Sequence, residues 1–161
     1  MINNKVKSEL IEIESIRMIH SNISTDENYK DMPQPISEIE VKYKQDSAFN
    51  TEENKIRIRL NTSLEGLDKN KEKLGVSGNF IIEFHVSVGN FDDFVVVNED
   101  GEKKVSDVLG NTLMGIVYST ARGIIFTYLQ GTYLSGSILP VIDPSTLTHK
   151  KNSDANKYKH L

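Results

Sequence analysis

The stretch Phe80-Ile81-Ile82-Glu83-Phe84-His85-Val86-Ser87-Val88 decides the fold. Phe80, Ile82, Phe84, Val86 and Val88 share one parity; Ile81, Glu83, His85 and Ser87 share the other. Successive side chains of an extended chain point to opposite faces, so this is a strand with one apolar and one wetter face. Upstream, Ile56, Ile58, Leu60 and Thr62 alternate with Arg57, Arg59 and Asn61, and Ile39, Val41 and Tyr43 alternate with Glu40, Lys42 and Lys44. Both read as half-buried strands. Ile11 and Ile13 alternate with Glu12 and Glu14, but Ile16 and Met18 fall on the other parity, which requires a bulge or strong twist inside the first strand. Residues 25–35 are polar and end in Pro33 and Pro35, a loop; residues 45–54 read as a connection, and the Lys-, Gly- and Asn-rich residues 65–79 as a mobile hairpin loop. Strands of this spacing joined by turns favour an antiparallel sheet with one face covered.

Downstream, residues 91–97 continue the apolar run, and Asn98-Glu99-Asp100-Gly101 is a turn signal. The period then changes. Leu109, Leu113, Ile116, Val117, Ile124, Tyr128 and Leu129 recur at spacings of three and four, an amphipathic helix starting from Ser106 or Asp107 as N-cap and ending at Gly131. Gly115 and Gly123 weaken it by about 1 kcal/mol each relative to Ala, while their small size permits close helix packing. Residues 132–142 are apolar but carry Gly136 and Pro140, an extended loop; Asp143-Pro144 is an N-cap followed by proline at the first position of a second helix. The expected fold is α+β: a four-stranded antiparallel sheet packed against a long helix and a shorter C-terminal helix. Residues 1–148 are expected to form a single domain, and the polar residues 149–161 a flexible tail.

The chain has 161 residues, enough for one core. Its net charge of −4 argues against a general nucleic-acid binder. The absence of cysteine excludes a disulfide framework, a thiol nucleophile and a thiolate zinc site. No stretch approaches the roughly 20 apolar residues that span a bilayer, and the opening MINNKVKSEL holds no signal-type apolar run. A cytoplasmic protein without direct membrane insertion is expected.

No constellation of catalytic residues is visible. His20, His85, His149 and His160 are scattered without metal-ligand spacing, and His85 reads as a surface histidine beside Glu83. The pair Asp92-Asp93 is a solvated surface rather than a cation site. The glycines form neither a dinucleotide fingerprint nor a P-loop, so no enzyme, metal or cofactor is expected. What stands out is apolar material in irregular chain: Tyr133, Leu134, Ile138, Leu139, Val141 and Ile142 between the two helices. Loops ordinarily prefer polar side chains. Two accounts remain open: the loop closes the core, or it lines an apolar groove for other polypeptides.

The C-terminal third resembles the SecB export chaperone family. Tyr118-Ser119-Thr120-Ala121-Arg122 is similar to that family's aromatic-x-x-Ala-Arg helix segment, Gly131-Thr132-Tyr133 to its Gly-Thr-Phe helix end, and Ile138-Leu139-Pro140-Val141 to its Leu-x-Pro-Val loop. Asp143-Pro144-Ser145-Thr146-Leu147 falls where the family starts its last helix. At the front, residues 11–16 resemble its first strand, Asn22-Ile23-Ser24 its Asp-Ile-Ser, and Phe80-Ile81-Ile82-Glu83 its Phe-Leu-x-Glu. The ordered set spans most of residues 10–148. Leu134 replaces a common proline, and Asn22 replaces an acid of the sheet face that docks the SecA motor.

The resemblance implies an ATP-independent chaperone that binds unfolded or presecretory polypeptides and keeps them export-competent. It implies client binding at Tyr133, Leu134, Ile138, Leu139, Val141 and Ile142, and SecA-type docking at Asp26, Ile81 and Glu83. It further implies a homotetramer, a dimer of dimers, with contacts at Ile82, Phe84, Val86, Tyr118 and Arg122. Tyr118 and Ile81 are expected on exposed faces that a monomer leaves wet. The alternatives are a specialised SecB-like chaperone of one client, such as an antitoxin or a mobile-element protein, and a non-chaperone assembly protein of the same fold.

Overall fold

The computed structural model describes residues 5–149 and 156–159. A four-stranded antiparallel sheet is built from β1 (Ile11–Thr25), β2 (Glu38–Asn50), β3 (Lys55–Leu67) and β4 (Lys73–Val88), in the order β1-β4-β3-β2, so that β2, β3 and β4 form a meander with β1 added to β4. A short strand β7 (Asn156–Lys159) adds to the outer edge of β2. The long helix α2 (Asp107–Leu129) covers one face of the sheet, and the short helix α3 (Ser145–His149) lies against α2 and β2. The α+β layering follows from the change of period after residue 98.

The alternating residues meet as their parity requires. Ile56 stands opposite Val86, Ile58 opposite Phe84 and Leu60 opposite Ile82, and all six are buried. Leu109, Leu113, Val117, Ala121, Ile125 and Leu129 of α2 are buried in the same core. Ser106 caps the helix, its Oγ accepting from the Leu109 N–H at 3.5 Å. The parity change in β1 is resolved by two irregularities. Register shifts between Ile13 and Ser15, and between Met18 and His20, leave Glu14 and Ile19 as extra residues against β4.

Several boundaries differ from the sequence reading. Residues 65–79 are not a mobile hairpin loop: β3 continues to Leu67 and β4 begins at Lys73, with Asp68 closing the turn by accepting from the Asn70 and Glu72 N–H groups. The polar composition reflects a ladder end whose side chains face water. Residues 45–54 are not a plain connection, since β2 pairs with β3 as far as Asn50. The loop after β1 holds one helical turn, α1 (Glu27–Asp31), pinned by the buried Tyr29. The apolar continuation folds as a 3₁₀ turn (Phe91–Phe94) followed by β5 (Val95–Val97), which pairs with β6 (Lys103–Val105) across the Asn98–Gly101 turn. The expected flexibility of residues 149–161 lies largely outside the described residues.

Candidate functional site

The inter-helix loop is built on two clamps from α2. Tyr118 donates from its hydroxyl to the Pro140 carbonyl oxygen at 2.7 Å, and Arg122 donates from Nε to the Leu139 carbonyl oxygen at 2.8 Å. The aromatic and the arginine of the aromatic-x-x-Ala-Arg segment thus hold consecutive loop carbonyls, while Ala121 between them is fully buried. At its start, Gly131 (φ +76°) ends α2 in the left-handed region that glycine favours. Thr132 Oγ1 then donates to the Leu129 carbonyl and accepts from the Leu134 N–H.

This fixed backbone sorts the six apolar side chains. Leu134 (0% exposed) and Leu139 (2%) are core residues, so the client-binding role expected of them is corrected: both anchors point inward and offer no surface. Tyr133 (46%), Ile138 (60%) and Val141 (84%) face solvent, and Ile142 is half-buried against the core. Tyr133 packs edge-on to Tyr29, ring centroids 5.2 Å apart. The loop therefore closes the core with two leucines and presents apolar surface with its other members.

A second concavity lies at the opposite end of α2. A cleft of about 360 Å³ opens between β2, β3 and the first turns of the helix, lined by Phe49, Ile56, Ile58, Leu113 and Met114 with polar Gln45, Ser47 and Thr148. Sequence reading missed it because its walls come from β2, β3, β6, α2 and α3, and Gln45, Ser47 and Phe49 sit where the chain looks like a connection.

The expected docking residues do not converge. Asp26 follows Thr25, which pairs with Val76, whereas Glu83 pairs with Arg17 of β1. Seven residues of β4 separate the two levels, roughly 23 Å at 3.3 Å per residue. Glu83 is buried, not an acidic outpost. Its Oε2 accepts from Arg59 Nη2 at 2.6 Å and Nε at 3.1 Å, and its Oε1 lies 2.9 Å from His85 Nε2. The His85 hydrogen bond first, and the Arg59 guanidinium second, hold its carboxyl down at about 2. Around it the outer sheet face is a mosaic of paired charges: Arg57 with Asp46 at 2.7 Å, Lys55 with Glu14 at 3.3 Å, Lys42 with Glu40 at 3.4 Å and Lys73 with Glu65 at 3.6 Å. Ile81 is half-buried within that face.

The residues expected at oligomer contacts are also placed differently. Ile82, Phe84 and Val86 are within 1% of full burial under α2, so they are core residues of the protomer. Tyr118 is likewise buried rather than wet, its hydroxyl 2.9 Å from that of Tyr43. Arg122 is half-buried and serves the loop.

Among the described residues no three His, Asp or Glu side chains gather as a metal site, and no helix is long and apolar enough to cross a membrane. Comparison with protein-family models and with curated proteins finds no match. Among solved structures, the SecB-like chaperone Rv1957 of Mycobacterium tuberculosis, in complex with a ChAD peptide from the HigA1 antitoxin, aligns with a TM-score of 0.58. The alignment covers 83% of this chain and 91% of that one at 11% identity. The fold is SecB-like.

Proposed function

We propose that this protein is a SecB-like chaperone of the cytoplasm that works without nucleotide or cofactor and holds an extended apolar segment of a dedicated polypeptide client, such as an antitoxin. The observation that carries the reading is the clamped loop, which keeps Tyr133, Ile138 and Val141 exposed while Leu134 and Leu139 anchor it. Exposed apolar side chains on a fixed backbone are preorganised for binding, since little ordering remains when a client docks. Contact with such surface is sequence-tolerant and yields about 25 cal/mol per Å² buried.

Two observations favour a dedicated client over delivery of presecretory chains to SecA. Docking of basic motor segments requires an unpaired acidic face, and here Glu83 is buried, ion-paired with Arg59 and hydrogen-bonded to His85. The similar mycobacterial structure holds an antitoxin peptide. We further propose assembly to a tetramer. The outer edge of β1 carries no partner strand among the described residues, and Ile16 and Ile19 are more than two-fifths exposed along it. A long free edge with apolar residues is a liability that assembly removes.

The test is aggregation suppression. The protein is added to a chemically denatured client as it is diluted into buffer, and light scattering is followed. Suppression at stoichiometric ratios supports the chaperone; unchanged scattering refutes it. Titration against SecA and against the product of an adjacent gene then separates the roles, with binding expected for the second alone. Sedimentation giving a concentration-independent mass near 18.2 kDa overturns the tetramer.

A further inference from the structure

The sheet face turned away from α2 is organised in cross-strand rows. Ile56, Ile58 and Leu60 take the helix side, so Arg57, Arg59 and Asn61 take the other. Directly opposed residues of antiparallel strands share a face. Read from β1 through β4 and β3 to β2, one row is Arg17-Glu83-Arg59-Asp46 and the next is His20-Ile81-Asn61-Lys44. The flanking rows bring His85 and Arg57 on one side and Lys42 on the other. This band holds five Lys and Arg side chains against the two carboxylates of Asp46 and Glu83, in a chain whose net charge is −4. The local sign is the reverse of the global one.

Pairing does not cancel it. Asp46 is taken by Arg57, and both oxygens of Glu83 are occupied, Oε2 by Arg59 and Oε1 by His85. Arg17, directly opposite Glu83, therefore finds no free carboxylate oxygen, and Lys44 stands opposite Asn61. Both are exposed, and neither forms an ion pair among the described residues. Within the pairs the cation is mostly the outer member: the Arg59 side chain is 40% exposed against 8% for Glu83, and Lys42 is 51% exposed against 15% for Glu40. Asp46, more exposed than Arg57, reverses that order. A partner approaching this face meets guanidinium and ammonium groups before carboxylates. From His20 to Lys44 the row crosses three strand spacings, about 14 Å, a length that about four residues of extended chain cover.

We propose that this band docks an acidic, extended segment of a partner protein lying across the strands. One carboxylate meets Arg17 beside His20, a second about four residues on meets Lys44, and an apolar side chain between them covers the half-buried Ile81. The register favours a polypeptide over a nucleic acid. A phosphate backbone carries charge at every nucleotide and meets the exposed Asp46 and the apolar Ile81 inside the same band, whereas a peptide spaces its charges to suit. The inference needs nothing from the chaperone reading; register and charge carry it.

The experiment follows rhodamine-labelled peptides of about ten residues by anisotropy, titrated with the full chain at low ionic strength. One carries two glutamates about four positions apart around a leucine, in a serine and glycine background. The others replace both glutamates by glutamine or by lysine. The glutamate peptide is expected to bind about fivefold or more tighter than either. Arg17→Glu with Lys44→Glu is expected to weaken it about tenfold and to bind the lysine peptide more tightly than the parent does, a gain that a folding defect does not produce. Should that pair not fold, Arg17→Gln with Lys44→Gln replaces it, with a severalfold loss expected. Lys103→Glu with Lys104→Glu makes the same change of net charge on the exposed β5–β6 hairpin and is expected to stay within about twofold of the parent. Equal affinity of the parent for the glutamate and glutamine peptides overturns the proposal, as does an equal loss in the hairpin variant. A labelled oligouridylate is titrated in parallel. If it binds and is weakened by Arg17→Glu with Lys44→Glu while the glutamate peptide shows no preference, the band serves nucleic acid and the peptide site falls.

Discussion

Arg122 on α2 donates from Nε to the carbonyl oxygen of Leu139, 17 residues further along the chain, at 2.8 Å. This bond, with that of Tyr118 to Pro140, turns a glycine- and proline-bearing connection into a surface of fixed shape. Removing either donor leaves a loop carbonyl in need of a partner. Tyr118→Phe and Arg122→Ala are each expected to lower stability by about 1–2 kcal/mol and to speed amide exchange across residues 137–142. Unchanged exchange in both variants contradicts the clamp.

The burial split within the loop separates packing from binding. Leu139→Ala empties a buried site and is expected to lower stability by about 2–5 kcal/mol. Ile138→Ser with Val141→Ser changes exposed side chains and is expected to stay within about 1 kcal/mol of the parent. The same pair should weaken client holding several-fold. Denaturant melts and the aggregation assay, run on each variant, check both statements; full holding by the serine pair removes these residues from the site.

The carboxyl of Glu83 titrates near 2, below its ordinary value of 4.5. A depressed carboxyl stabilises the fold above its unfolded pKa and loses that contribution as pH falls from about 4.5 toward 2. The full linkage is up to roughly 3 kcal/mol, and less in practice because the Arg59 side chain is 40% exposed. Glu83→Gln is therefore expected to flatten the stability profile across that acid window and to lower stability near neutrality. Parallel profiles for parent and variant argue against the Arg59-Glu83-His85 cluster as its source.

Gly75 has φ +74°, and a side chain there runs into the carboxylate of Asp26, whose N–H donates to the Gly75 carbonyl at 2.8 Å. Gly75→Ala is expected to destabilise by about 1–3 kcal/mol from backbone strain and crowding together. Adding Asp26→Gly is expected to return the crowding part only. Thermal melts of the single and double variants decide it, and a neutral Gly75→Ala contradicts the packing of Asp26 at this turn.

Where a physical period ran long enough, the chain was readable. Phe80 to Val88, the spacing from Leu109 to Leu129 and the parity break between Ile13 and Ile16 give the sheet, the helix and the irregular first strand. Strand ends were not readable, because residues 45–50 and 65–67 mix polar side chains into a ladder held by backbone bonds rather than by pattern. The loop was half-readable. Its apolar content is plain, but Leu134 and Tyr133 differ in fate through the turn at Thr132 and Gly131, and composition does not carry direction. Asp26 and Glu83 share chemistry in the sequence, yet only strand register reveals how far apart they lie.

The position of β1 has a consequence for how the protein is made. β2, β3 and β4 are joined by tight turns and can zip locally, whereas β1, the first strand synthesised, pairs only with β4, the last of the four. The ribosome adds about 60 residues between Thr25 and Val88, roughly 3–12 s at ordinary elongation rates. Until β4 is made β1 has no ladder partner, and its closing loop is the longest among the four long strands, which slows pairing. Pulse-labelled exchange during refolding is expected to protect residues 55–88 before residues 11–25. A protein proposed to shelter the unfinished strands of others thus passes through a stage of its own in which one strand waits uncovered.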